Sequence, residues 1–141
     1  MQERTIQGLE DLPAAAAALL AYAGERRKFV LSGEIGAGKT TLIQQICNQL
    51  GVTEPVTSPT FALVNVYQGE IAGQPIPVHH LDLYRLRNYE EALDIGIEDY
   101  LYDEHYCLIE WPEIVEELLP PEVVRIKLEI LPDSGRKMLF L

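Results

Sequence analysis

The sequence predicts an α/β fold: a mixed central sheet flanked by helices, with a β-hairpin near its C-terminal end. Three observations lead there. Residues 29–31 (FVL) are a short apolar run suited to a buried strand, and residues 39–50 switch to helical spacing, with Leu42, Ile43, Ile46 and Leu50 on one side. Residues 106–111 (YCLIEW) form a second compact apolar run. Residues 123–130 alternate through Val124, Ile126, Leu128 and Ile130, and the turn Asp133-Ser134-Gly135 leads into a last strand at 137–141.

From the N-terminus, residues 3–8 read as a short strand or a lead-in. Asp11 suits the cap of a helix starting at Leu12 or Pro13, a first-turn position that tolerates proline. Residues 14–23 are strong helix formers and Gly24 ends them. Residues 52–61 hold two prolines and three threonines, so they read as an ordered loop. Residues 62–68 read as a strand, 69–77 as a turn region and 76–83 (IPVHHLDL) as the next strand. Asn88 is a candidate cap with Glu91 in the capping-box position, and a second short helix spans 97–102. Pro112 stops the strand before it, and residues 113–119 make a short helix closed by Pro120-Pro121.

Composition bounds the function classes. At 141 residues and 48% hydrophobic content the chain fits one folded domain, 1–141, rather than a disordered segment. No run reaches the roughly 18 apolar residues of a membrane span. The opening MQERTIQGLEDLP has no basic stretch leading into an apolar one, so the expectation is a cytoplasmic protein. Cys47 and Cys107 sit in apolar context and read as buried thiols. With 11 basic and 22 acidic residues the net charge is −11, and no basic patch stands out. Any nucleic acid is then held by a partner.

The strand-to-helix transition carries the motif Gly33-x-x-x-x-Gly38-Lys39-Thr40, a phosphate-binding loop that also contains Glu34, Ile35, Gly36 and Ala37 and runs into Thr41. The glycines let amides face phosphate oxygens, and the helix start adds unpaired N–H groups. Lys39 would reach the β- and γ-phosphates, and the Thr40 hydroxyl would ligate Mg²⁺. The expected architecture is thus a P-loop NTPase domain. The alternative is a glycine-rich turn with an ordinary lysine.

Hydrolysis needs a second metal anchor and a group to orient water. Two strand-end carboxylates compete. Glu110 closes the more hydrophobic strand and should sit deeper, so it is assigned to the metal, directly or through water. Asp82 is assigned to the metal shell or the attacking water. The two roles are interchangeable at this level, and either residue can instead merely cap the helix after it. In the 57–61 loop, Thr60 would offer a hydroxyl or amide to Mg²⁺ or the γ-phosphate, and Pro59 holds Ser58 extended. Trp111 is the sole tryptophan. It either packs in the core or braces the loop or the nucleotide. His79 and His80 face opposite sides of a strand and cannot form a metal pair by themselves. Each reads as a packing or hydrogen-bonding histidine. Arg85 is open between an ion pair and a phosphate contact. No guanine-selecting N/T-K-x-D motif is visible, so adenine is the default base.

GEIGAGKTT (33–41), SPTF (58–61), HLDLYRL (80–86) and IEWPE (109–113) together resemble the signature blocks of the TsaE (YjeE) family, and the EEALDIGIEDYL stretch resembles the segment between the later blocks. The resemblance covers nearly the whole chain. Glu34 and Ile35 stand where Asp and Leu are usual. The family is a small bacterial ATPase of tRNA threonylcarbamoyladenosine synthesis. The resemblance therefore implies ATP or ADP binding at Gly33, Glu34, Ile35, Gly36, Ala37, Gly38, Lys39, Thr40 and Thr41, and Mg²⁺ at Thr40 and Glu110. It implies an acidic residue required for activity at Asp82, a switch-like role for Thr60 beside Ser58, and a functional Trp111. It also implies two protein partners, TsaD and TsaB. TsaD transfers the threonylcarbamoyl group to adenosine 37, and tRNA is met only through the partners. The competing readings are a small-molecule or nucleoside kinase, for which the seven arginines supply no arginine-rich lid, and a nucleotide-dependent scaffold whose hydrolysis is incidental.

Overall fold

The computed structural model describes residues 2–59 and 63–140. Its strands are β1 (Gln2–Ile6), β2 (Lys28–Ser32), β3 (Val64–Ile71), β4 (Gln74–Asp82), β5 (Tyr106–Glu110), β6 (Val124–Ile130) and β7 (Arg136–Phe140). Its helices are α1 (Leu12–Ala23), α2 (Lys39–Gln49), α3 (Tyr89–Asp94) and α4 (Ile97–Tyr102), with 3-10 turns at Leu9–Asp11 and Pro112–Leu118. All seven strands join one sheet in the order β1-β7-β6-β2-β5-β4-β3. The middle is parallel, β6-β2-β5-β4, and antiparallel pairs flank it on both sides.

The pleat sorts side chains between two cores. Phe29 and Leu31 of β2 face the cluster beneath α1 and α2, with Leu19, Leu42 and Ile46. Val30 faces the other cluster, with Leu81, Ile97, Leu101 and Val115. Both faces are covered, which is why β2 and β5 read as continuous apolar runs rather than alternating ones. The antiparallel β6–β7 pair is the expected C-terminal hairpin.

Three local expectations change. Asp11 does not cap α1 with its side chain. A 3-10 turn precedes the helix, Asp11 takes helical torsions, and its Oδ2 accepts the Gln7 N–H at 2.9 Å instead. The 69–77 turn region contracts to Ala72-Gly73, because β4 begins at Gln74 and carries Pro75 and Pro77. Those prolines are tolerated because β5 pairs with β4 only from Val78 onward, so no ladder bond is needed on that side. Asn88 caps α3 as expected, accepting the Glu91 N–H at 3.1 Å, but Glu91 Oε1 reaches Arg87 N rather than closing the box on Asn88.

Candidate functional site

Residues 33–38 connect β2 to α2 at the carboxyl end of the parallel strands, where ligands of such sheets bind. Gly33 takes φ +146°, and a Cβ there would lie 2.6 Å from the Leu128 carbonyl oxygen, so the loop leaves β2 by a path only glycine can follow. Gly38 has φ 101° at the start of α2. The loop is held from outside by Arg136 of β7. Its Nε donates to the Ala37 carbonyl at 3.0 Å and its Nη2 to the Gly36 carbonyl at 3.2 Å. Sequence reasoning missed this brace, because nothing near residue 136 announces a partner about a hundred residues away.

Lys39 is buried. Its Nζ donates to the Gly33 carbonyl, and to the Glu34 carbonyl at 3.1 Å. The ammonium lies 4.0 Å from the centre of the Trp111 ring. Burial lowers the Lys39 pKa, with the charges of Glu110, Glu113, Asp82 and Glu34 pulling the other way. Trp111 adopts left-handed torsions (φ 59°, ψ 59°) directly after β5 and packs against Tyr84 at a centroid distance of 5.0 Å. A tryptophan in that region is strained, and such strain gathers at functional sites. Both sequence alternatives for Trp111 find a counterpart: half-buried, it packs against the second core and also lies over the loop lysine.

Thr40, one residue into α2, meets Ser58 and Glu110. Its Oγ1 lies 2.8 Å from Ser58 Oγ and 3.0 and 3.2 Å from the two carboxylate oxygens of Glu110. Glu110 is 3% exposed, deeper than Asp82, as its apolar strand predicts. β5 lies beside β2, whereas β4, which carries Asp82, is one strand further out. Of the two carboxylate strands, only that of Glu110 adjoins the phosphate-loop strand. Asp82 is level with Glu110 in the β4–β5 register. Its Oδ1 accepts the Tyr84 N–H at 3.0 Å, so it does cap the turn after β4, and it still faces the site. Burial pushes its carboxyl above the ordinary range, the Tyr84 N–H opposes this, and the neighbouring Glu110 adds to the rise.

A cavity of about 350 Å³ gathers Ile35, Gly36, Gly38, Lys39, Thr40, Thr41, Ser58, Asp82, Glu110 and Trp111. Gly33 and Glu34 contribute through their carbonyls to Lys39. Ala37 lies buried under the loop. Thr60 lies outside the described residues. A second cavity of about 330 Å³ adjoins the outer side of the same loop, between Gly36, Ala37, Gly38 and Thr41 and a wall of Leu9, Leu12, Ser134 and Arg136. It joins the two ends of the chain, so local sequence patterns could not reveal it.

His79 and His80 do face opposite sides of β4. His80 is fully buried on the α2 side, with Nε2 2.8 Å from Glu110 Oε2. Sequence reasoning assigned it no role in the site. The signal was present, since a residue two before Asp82 must share its face. His79 instead lies near Asp103 and His105, with donor atoms within 4.8 Å of one another. An internal cation already serves that group: Lys28 Nζ is 2.5 Å from Asp103 Oδ1.

The site's donors are hard oxygens from Thr40, Ser58, Glu110 and Asp82, the set Mg²⁺ prefers, beside an ammonium and a run of loop amides suited to phosphates. Among the described residues, no helix is long and apolar enough to cross a membrane.

The chain is similar to known proteins along most of its length. Residues 6–138 match the family described as "Threonylcarbamoyl adenosine biosynthesis protein TsaE". A tRNA threonylcarbamoyladenosine biosynthesis protein TsaE from Bacillus subtilis (strain 168) is 34% identical over 131 residues, covering 93% of this chain and 79% of its own. The protein of the same name from Treponema pallidum (strain Nichols) is 39% identical over 109 residues, 77% of either chain. The crystal structure of B. subtilis YdiB superposes with a TM-score of 0.78 at 28% identity, over 99% of this chain and 83% of that one. The fold is that of a P-loop NTPase. A glycine loop, a buried lysine and two level strand-end carboxylates thus stand in a chain matched along nearly its whole length, and the chain belongs to the TsaE family of threonylcarbamoyl adenosine biosynthesis proteins.

Proposed function

We propose that this protein binds ATP with Mg²⁺ and hydrolyses it slowly, as the energy-supplying accessory of the tRNA threonylcarbamoyladenosine modification made by TsaD and TsaB. The observation that carries the reading is the meeting of Thr40 Oγ1 with both oxygens of Glu110, beside the buried Lys39. A P-loop hydroxyl facing a strand-end carboxylate is a donor pair that would suit a magnesium ion bound with the phosphates.

Each residue has a task in this reading. The amides of the 33–41 loop and the start of α2 hold the phosphates, and the helix dipole favours their charge. Lys39 neutralises the β- and γ-phosphates. Thr40 and Glu110 hold Mg²⁺, which when bound would offset the charge that develops between the β- and γ-oxygens. Asp82, level with Glu110, orients the attacking water or completes the metal's shell through water. Ser58 and Thr60 belong to the loop that senses the γ-phosphate. Trp111 keeps Lys39 in line through its ring. The nucleoside occupies the adjoining cavity, where Leu9 and Leu12 offer apolar surface and Ser134 offers a hydrogen-bonding group. The net charge of −11 supports the view that tRNA is held by the partners.

A titration of ATPase rate against added TsaD–TsaB tests the reading. The rate should rise with the partners, saturate, and vanish in the Glu110→Gln variant while ADP binding persists. Absence of ATP hydrolysis above background with both partners present would sink it.

A further inference from the structure

Glu110 is tied on two sides. Thr40 meets it from α2, and His80 meets it from β4 at 2.8 Å. A carboxylate only accepts, so the His80 ring donates to it from Nε2. Nδ1 lies 3.3 Å from the Tyr67 hydroxyl, on the neighbouring strand and the same face. Tyr67 is 5% exposed and His80 0%.

Beyond Tyr67 stands the loop that carries Ser58. The Tyr67 hydroxyl accepts the Thr57 N–H at 3.2 Å and lies 2.9 Å from the Thr57 carbonyl oxygen. Asn65 Nδ2 donates to that same carbonyl at 3.0 Å and to the Tyr67 oxygen at 3.1 Å. Ser58, the next residue, lies 2.8 Å from Thr40 Oγ1. The hydrogen bonds therefore form a closed circuit: Thr40, Glu110, His80, Tyr67, Thr57-Ser58, and back to Thr40.

We propose that Tyr67 and His80 are positioning residues that couple the placement of the 57–58 loop to the orientation of the Glu110 carboxylate toward Thr40. The proposal rests on the reading of Thr40 and Glu110 as the metal pair. A strand-end glutamate has several rotatable bonds, and a hydrogen bond from a fully buried ring removes most of that freedom. A loop shift that pulls Thr57 from Tyr67 then reaches Glu110 through two bonds, Tyr67 to His80 and His80 to Glu110. Thr40 already ties Ser58 to Glu110 on the opposite side. The loop that would sense the γ-phosphate and the carboxylate that would hold the metal therefore move as one unit.

His80→Leu, His80→Gln and Tyr67→Phe separate this from a packing role. Gln keeps an N–H donor near the Nε2 position, and Phe keeps the Tyr67 volume. Three quantities are read: turnover and its Mg²⁺ requirement with TsaD–TsaB present, ADP affinity without metal, and hydrogen exchange at the Thr57 amide in the free protein. His80→Leu should lower turnover about 10-fold or more and raise the half-saturating Mg²⁺ severalfold. ADP affinity without metal should stay within about twofold, since the loop amides and Lys39 are untouched. His80→Gln should recover most of the loss, and Tyr67→Phe should fall between. Thr57 exchange should quicken in both Tyr67→Phe and His80→Leu. A folded His80→Leu with wild-type Mg²⁺ requirement and wild-type Thr57 exchange overturns the coupling. Should His80→Leu not fold, His80→Gln and Tyr67→Phe decide it by the same readings. Should the wild type hydrolyse no ATP, the function fails, and Thr57 exchange in the His80 variants still decides whether the circuit exists.

Discussion

Lys28 and Lys39 stand at the two ends of the strand-and-loop unit 28–39, one opening β2 and the other starting the helix after the loop. Both are buried, at 7% and 5% exposure. Their ammonium groups meet different company. Lys28 donates to the Tyr100 carbonyl at 2.7 Å, the His105 carbonyl at 2.6 Å and Asp103 Oδ1 at 2.5 Å. Three protons find three acceptors, one of them charged, so this cation is neutralised where it sits. Lys39 donates to two loop carbonyls and rests against the Trp111 ring, and among the described residues it makes no ion pair. Burial works against the charge of Lys39, and the carboxylates of Glu110, Glu113, Asp82 and Glu34 support it without pairing with it. The same residue type, at the start of β2 and at the start of α2, thus meets a charged acceptor in one place and only neutral carbonyls and a ring in the other. Burial identifies neither role, and the charge of the acceptors separates them.

The largest expected effect breaks the comparison at its functional end. Lys39→Ala should cut ATP turnover about 100-fold or more, since a group aimed at developing phosphate charge acts mainly in the transition state. Its chemical denaturation midpoint should stay close to that of the wild type. A large loss of stability would mean that Lys39 is a structural lysine after all. The mirror experiment is Lys28→Met. It leaves Asp103 without its cation and two carbonyls without a donor, and should cost about 1–3 kcal/mol in urea unfolding. ADP affinity at a temperature where the variant is folded should not change.

Proton linkage sharpens the contrast, because the two ends carry carboxylates shifted in opposite directions. At the Lys28 end burial raises the Asp103 pKa, but the Lys28 hydrogen bond, the His105 N–H and the nearby positive charges outweigh it and hold the group below its ordinary 3.8. Its contribution to stability is present above pH 3.8 and is lost as pH falls through the lowered value. At the Lys39 end the Asp82 pKa is raised, chiefly by burial. The folded state then disfavours its ionised form, and stability drops as pH rises from 3.8 through the raised value. Unfolding free energies measured between pH 3 and pH 7 should therefore respond oppositely. Asp103→Asn should flatten part of the acid loss, whereas Asp82→Asn should be no less stable than wild type at pH 7 while losing activity. Equal slopes in both variants would remove the distinction between the two ends.

The smallest effect concerns the brace behind the loop. Arg136→Ala removes the donors to the Gly36 and Ala37 carbonyls, bonds whose net worth is about 1 kcal/mol. ADP affinity measured by calorimetry should weaken about three- to tenfold, with turnover at saturating ATP little changed. Unaltered affinity would show that the loop keeps its form without help from β7.

Several of these features were legible before the fold was known, for local reasons. The strand, glycine loop and helix from 29 to 50 derive from torsional freedom at Gly33 and Gly38 and from side-chain spacing along α2. Asn88 announced the start of α3 by its own cap. The depth of Glu110 was foretold by the apolar run that it ends. The strand from Gln74 was obscured because Pro75 and Pro77 argue against a ladder, and only the limited reach of β5 makes them harmless. Strand alternation puts His80 on the face of Asp82, but which group it meets there is settled only once β4 and β5 are in register.

The sequence by itself determined that a glycine loop with phosphate-loop spacing joins a buried strand to a helix. That pattern lies in some ten consecutive residues and follows from local backbone freedom and side-chain spacing. It also determined which strand-end acids were available. Only the tertiary structure decided that Glu110 meets Thr40 and His80, that Asp82 stands level with it one strand out, and that Arg136 holds the loop from behind. Those contacts depend on the parallel register of strands tens of residues apart. That register is fixed by the packing of two hydrophobic faces and leaves no mark in any short stretch of sequence.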